Sequence, residues 1–257
     1  MRGFTKYIMI FSLIIFIIGL LLCILGGIMG GKMHWSFESG ESETISKDFE
    51  EVDNINIKLN YGSFNIKNGE KFKIEGLVSK NANFKTEIND GTLEISNTRK
   101  FWNLFSAFDK NPEQKLTLYI PNNFDLKNCN IDIGACELNI EELKTENLKV
   151  SVGAGNCLIS KLDCNECTFN IGAGDLDVVA KINKTIKIDC GVGDAKVVLI
   201  GLKKDFDYSV DNGVGSIDIA GLRYDGLGTG GKLDNHSDKK IIIDCGVGSV
   251  NVDFKEE

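Results

Sequence analysis

The chain has 257 residues, with 29 lysines and arginines against 37 aspartates and glutamates, a formal net charge of −8, and 28 glycines but only two prolines. That length accommodates one membrane anchor and a single all-β body of ordinary size. The negative charge disfavours nonspecific binding to nucleic acid or anionic lipid, so no nucleic-acid partner is expected, while basic partners and metal cations have the complementary charge.

In chain order, the first feature is the run Tyr7 to Gly31, 25 residues without a charge. A hydrocarbon core of about 30 Å needs only about 20 residues, so residues 7–31 are expected to form a transmembrane helix. A cleaved signal peptide would have an apolar region of about 7 to 15 residues and a small-residue exit, which "GGIMGGKMHW" does not supply. Leu22 before Cys23 likewise disfavours lipoprotein processing. Arg2, Lys6 and the amino terminus precede the helix, and Lys32 is the only cation between it and Lys47. The charge bias therefore places residues 1–6 in the cytoplasm. A linker at 32–47 then leads to an extracellular body, 48–257, of a single-pass cell-membrane protein.

Eight cysteines argue in the other direction, because Cys23 lies in the helix and the seven left in the body cannot all pair. An oxidising exterior tolerates that poorly unless the thiols are buried as small hydrophobes.

The body is repetitive. "IDIGACELNI" (131–140), "VSVGAGNCLI" (150–159), "FNIGAGDLDV" (169–178) and "IDCGVGDAKV" (188–197) recur every 19 residues, and "VDNGVGSIDI" (210–219) and "IDCGVGSVNV" (243–252) follow. Two degenerate copies, "IKLNYGSFNI" (57–66) and "TEINDGTLEI" (86–95), put Gly62 and Gly91 where the second glycine of the pair recurs. Apolar residues alternate within each half-copy, as Phe169 and Ile171 and then Leu176 and Val178, the signature of strands buried on one face. The halves are out of phase by one residue, so the chain must bend or bulge at the glycines, whose backbone freedom suits that. Gly62, Gly91, Gly134, Gly153, Gly155, Gly172, Gly174, Gly191, Gly193, Gly213, Gly215, Gly246 and Gly248 are therefore read as structural corners. A phosphate loop would need a lysine and hydroxyl, or a helix, after the glycines. Calcium-binding repeats of the G-x-G-x-D kind would need Asp177 one position earlier.

One copy cannot bury enough apolar surface to fold alone, and stacking at about 4.8 Å lets neighbouring coils complete the hydrogen bonds and the apolar columns. The expectation is an all-β protein, a β-solenoid of about 19-residue coils with Gly-x-Gly corners, roughly 40 Å long for eight coils. Cys190 and Cys245 fall in the same apolar column as Ile133, Val152 and Ile171 and are read as core.

The array "GTLEI", "LTLYIPNNFDLKNCNIDIGACELNIEEL", "VGAGNCLI" and "IGAGDLDV" resembles the bacterial putative-adhesin family, a β-strand-repeat domain of unknown function often carried behind one transmembrane helix. The likeness runs from Val52 to Phe254, and its most telling features are "LYIP" at 118–121 and the serial glycine corners. It implies a nonenzymatic role in the cell envelope. The cysteines and the aromatic stretch at 101–108 are not part of the family pattern.

No catalytic or cofactor-binding set is legible. Polysaccharide-cleaving β-helices cluster acids and bases over several coils, whereas Asp175, Asp177, Asp194 and Asp218 are spaced as solvated strand positions. His34 and His236 lie outside the repeats. "CNEC", Cys164 to Cys167, is half of a metal site, a candidate disulfide, or two ordinary turn thiols. No resident metal is expected.

Two inserts interrupt the period. In the insert 223–240, "GLGTGGKLDNHSDKK" (226–240) reads as a glycine-rich surface loop. At 97–114, "FWNLFSAF" places apolar residues at 101, 102, 104, 105 and 108, one helical stripe before Pro112. It is either a helix packed over an open face or a partner or membrane contact through Phe101, Trp102 and Phe105. Two functional readings follow. One is a surface module that binds, adheres to or senses an envelope protein, peptide or glycan. The other is a scaffold that self-associates end to end, beginning with the uncapped copy "IDCGVGSVNVDF".

Overall fold

Alternating burial along strands such as Leu143–Ala154 puts one face of the backbone into a shared core. The computed structural model describes residues 42–80, 83–98 and 114–256. Its strands are β1 (Ser42–Phe49), β2 (Asn54–Gly69), β3 (Phe72–Ser79), β4 (Asn83–Asn89), β5 (Thr92–Thr98), β6 (Lys115–Pro121) and β7 (Leu126–Ile140). They continue with β8 (Leu143–Ala154), β9 (Cys157–Ala173), β10 (Leu176–Ile200), β11 (Asp207–Ile219), β12 (Leu222–Leu233) and β13 (Lys240–Lys255). The expected helix 7–31, residues 1–6 and Phe101, Trp102 and Phe105 lie outside the described residues. Among the described residues no helix is long and apolar enough to cross a membrane.

The strands form one unclosed sheet in the order β1-β3-β6-β2-β7-β8-β9-β10-β13-β11-β12, with the β4–β5 hairpin attached to β2 through β5. From β2 to β11 along that path the pairing is parallel, with register shifts between β9 and β10 at Val178–Ala180 and Ile182–Thr185, and equivalent positions stack at the glycine corners. One interior column reads Leu59, Ile133, Val152, Ile171, Cys190, Cys245 and Asn212. The stack is solenoid-like, and its apolar columns supply the core.

The glycine pairs bend the chain in two ways: Gly191 and Gly193 lie inside the continuous β10, whereas Gly155 and Gly174 fall in the short breaks between β8 and β9 and between β9 and β10. Their two members are required for different reasons. At Gly172 a Cβ would lie 2.5 Å from the Gly153 carbonyl oxygen, so the close approach of adjacent coils excludes a side chain. Gly174 adds a left-handed backbone, φ +139°, with a Cβ that would fall 1.9 Å from the Gly155 oxygen.

Several expectations require correction. Gly91 is not a coil corner: Asp90 (φ 47°) and Gly91 (φ 69°) form the two-residue turn of the antiparallel β4–β5 hairpin. Two positive φ values with Asp-Gly are what a right-twisted hairpin favours. Residues 42–47 are not linker but the edge strand β1, whose polarity reflects its exposed position. Residues 222–233 are not a loop but β12, antiparallel to β11. The final copy is not an end of the stack, because β13 is paired on both sides, with β10 and with β11. The outermost strand there is β12, which leaves one edge unpaired within the described sheet.

Candidate binding surface

The middle residue of each corner points outward, and the parallel register, extended by the antiparallel β11–β12 pair, strings these residues into one row. It runs Tyr61, Ala135, Ala154, Ala173, Val192, Val247, Val214 and Leu227. Its far half is bulky and open: Val192 is 55% exposed, Val247 48%, Val214 50% and Leu227 81%. Apolar side chains aligned at about 4.8 Å on four adjacent strands make a contiguous patch, unlike isolated surface aliphatics.

Carboxylates border that patch on both sides. Asp189, Asp244 and Asp211 are register partners on β10, β13 and β11 along one flank. Asp194 on β10 and Asp225 on β12 lie along the other, linked through the Ser249 and Ser216 positions. Asp194 Oδ1 accepts hydrogen bonds from Ser249 N–H (3.1 Å) and Oγ–H (2.5 Å). Toward the smaller half of the row, Asp132, Ser151, Asn170 and Asp189 line an open groove of about 500 Å³ beside the first glycines of four coils.

Buried asparagines mark both ends of the interior column. Asn212 is fully buried, and its Nδ2 faces the carbonyl oxygens of Gly215 (3.0 Å), Tyr224 (3.1 Å) and Gly226 (3.4 Å) and Thr229 Oγ1 (3.2 Å). Its Oδ1 has no partner among the described residues. At the other end Asn97 follows the Lys58–Ser96 register pair, accepts Asn60 N–H through Oδ1 at 2.7 Å and donates to Gln114 Oε1 at 2.9 Å. An apolar residue stacks on both faces of a coil. An amide instead satisfies backbone groups where regular pairing stops. Asn97 and Gln114, expected inside an insert, are thus buried members of the body.

The seven cysteines of the body are free and buried. Cys164 and Cys167 sit within β9 rather than in a turn between strands. Cys164 donates to the Glu166 carbonyl at 2.9 Å. Its hydrogen bond with Cys167 lowers the Cys164 pKa, whereas burial raises that of Cys167. Burial also pushes Cys129 and Cys157 up to about 12. These are core thiols, and among the described residues no cluster of three or more His, Cys, Asp or Glu could hold a metal ion. His236 is exposed in the segment after β12, where its backbone N–H donates to Asp234 Oδ1.

The model of the Toastrack DUF4097 family, a domain of unknown function in bacterial proteins, matches residues 39–255. The chain belongs to the Toastrack DUF4097 family. No curated protein matches it. A putative cell adhesion protein from Clostridium sporogenes is similar at 19% identity over 84% of this chain and 100% of that chain, with a TM-score of 0.45. A putative adhesin from Bacteroides fragilis is 13% identical over 82% of this chain and 97% of that one, TM-score 0.35. A putative lipid binding protein from Parabacteroides distasonis is 16% identical over 83% and 97%, TM-score 0.29. These likenesses carry no assignment of a ligand.

In this Toastrack chain the corner glycines were legible in the sequence, but the residue between them was not singled out. The signal was present in the change from Gly-Ala-Gly in the earlier copies to Gly-Val-Gly in the later ones. Leu227 carried no such signal, because it joins the row only through the antiparallel pairing of β12 with β11.

Proposed function

We propose that this protein is a nonenzymatic, membrane-anchored module of the cell envelope whose outward-facing body binds, adheres to or senses another envelope component. The exposed row Val192, Val247, Val214 and Leu227 carries this reading, because aligned apolar side chains on a regular sheet form a presented surface rather than a core. Retention of residues 7–31 as the anchor, and the cation bias before them, support an extracellular body.

Two measurements test it together. Protease added to intact cells should remove the body, and in-cell crosslinking from positions on the exposed row should trap a partner. Protection of the body until the membrane is lysed would sink the outward orientation. An accessible body that traps nothing would sink the binding role.

The unpaired edge of β12 favours a second reading, a scaffold that self-associates at that edge. Concentration-dependent sedimentation of the detergent-solubilised chain, abolished by a proline within β12, would favour it.

A further inference from the structure

We propose that the Val192–Val247–Val214–Leu227 row is the docking site of a cationic amphipathic helix, a partner segment with one apolar side chain per turn and lysine or arginine on both flanks of that stripe. The inference rests on the binding-module reading and adds the chemistry of the partner.

Three features of the surface lead to it. The apolar row is open on β10, β13, β11 and β12, with exposures from 48% to 81%. Its borders are of one sign: Asp189, Asp244 and Asp211 on one side, Asp194 and Asp225 on the other. The nearest cations on the outward face of these strands, Lys187, Lys196, Lys232 and Arg223, lie in the next rows beyond the carboxylates. Asp189, Asp244 and Asp211 occupy directly opposed positions on neighbouring strands, an arrangement that costs stability unless an opposite charge arrives.

Spacing selects the partner's conformation. Four strands at about 4.8 Å span about 14 Å. A helix rises about 5.4 Å per turn, so one apolar residue per turn stays close to register with the row over that length. An extended strand repeats every two residues at about 6.6 Å and falls about 5 Å out of step over the four-strand row, against about 2 Å for the helix. An acidic or neutral helix would leave the bordering carboxylates without counter-charge, and an anionic lipid surface would be repelled by them.

The test uses the full chain in phosphatidylcholine nanodiscs, with empty nanodiscs as baseline. The probe is a fluorescent 18-residue peptide carrying leucine once per turn and lysine on both flanks. A glutamate-for-lysine version serves as its counterpart. Two multiple variants are compared by anisotropy. One carries Val192→Thr, Val214→Thr, Val247→Thr and Leu227→Thr, and the other Asp189→Asn, Asp211→Asn and Asp244→Asn. Threonine keeps the β-branched shape that strands prefer, and thermal melts report retention of fold. The expected result is that the lysine peptide binds, each variant weakens it at least tenfold, added salt weakens it, and the glutamate peptide does not bind.

Equal binding of both peptides, binding unchanged in either variant, or no binding to the native chain overturns the proposal. So does a sedimentation coefficient that falls to that of a monomer in the threonine variant, which would make the row a contact between copies. In-cell crosslinks made from positions off the row separate the two levels. If they persist in both variants, the binding-module reading stands and only this docking site falls.

Discussion

Replacing Asn212 with valine would restore the aliphatic residue that Val152 supplies in the same column, yet it should destabilise the β11–β12 end of the stack. The Asn212 Nδ2 has two protons and faces four acceptors at 3.0 to 3.4 Å, with the Gly215 and Tyr224 carbonyls nearest. Stranding one partly buried carbonyl costs about 1–3 kcal/mol. Losing two would cost more, but the unpaired Asn212 Oδ1 is removed as well and a branched aliphatic is buried, which returns about 1.5 kcal/mol. The net expectation is a loss of about 1–3 kcal/mol, a fall of roughly 2 to 12 °C in midpoint at 2–4 °C per kcal/mol. Stability in stacked units is nearest-neighbour in character, so the effect should concentrate in β12. Hydrogen exchange of the full chain should accelerate at Leu222–Leu233 by at least several-fold while β8 and β9 are unchanged. A valine variant as stable as the native chain, with unaltered exchange in β12, would refute the view that this amide holds the outer hairpin.

The other expectations follow from the same geometry. Gly174→Val should lose at least about 1–3 kcal/mol to its left-handed backbone, with more from the Gly155 oxygen 1.9 Å from its Cβ. Asp175→Asn should stay within about 0.5 kcal/mol as an exposed change, and comparable denaturant midpoints for the two would contradict the corner geometry. Cys129 and Cys157 ordinarily titrate near 9 and are raised by burial to about 12. The unfolded chain therefore releases these protons first. Stability is fully present below pH 9 and declines between 9 and 12 by about 1.4 kcal/mol per pH unit for each thiol. Urea midpoints at pH 8 and 10.5 should differ accordingly, and equal midpoints would show that the thiols are not sequestered. Asp244→Asn, which relieves opposed carboxylates on both sides, should raise stability by a few tenths of a kcal/mol and so raise the thermal midpoint slightly, and a fall would show that Asp244 is engaged favourably.

Particular residues show how far the sequence carries. Phe169 and Ile171, then Leu176 and Val178, announce two half-strands out of phase, and their burial in the core follows from side-chain alternation alone. Cys190 and Cys245 were legible as core for the same reason, since each occupies the position of Ile171 in its own copy. The Asp90-Gly91 turn was also legible, as a hairpin, but its glycine stands where the second glycine of the pair recurs in an aligned copy, and that likeness obscured it. Residues 42–47 could not be recognised as strand because an edge position needs little apolar surface.

Local patterning thus determined the coil: its length, its inward and outward residues, and the glycines that allow adjacent backbones to approach. The order of the last coils was decided only in the tertiary structure, where β13 enters between β10 and β11. Copies 210–219 and 243–252 carry nearly the same columns as copy 188–197 within β10, so alternation makes either of them an acceptable neighbour for β10. The difference lies in long-range pairing. The hairpin partner β12 occupies one edge of β11 and leaves a single parallel edge, while Asn212 satisfies the bent carbonyls of that hairpin instead of continuing the apolar column. β11 can therefore only finish the stack, whereas β13, with Cys245 in the column and both edges free, can lie inside it.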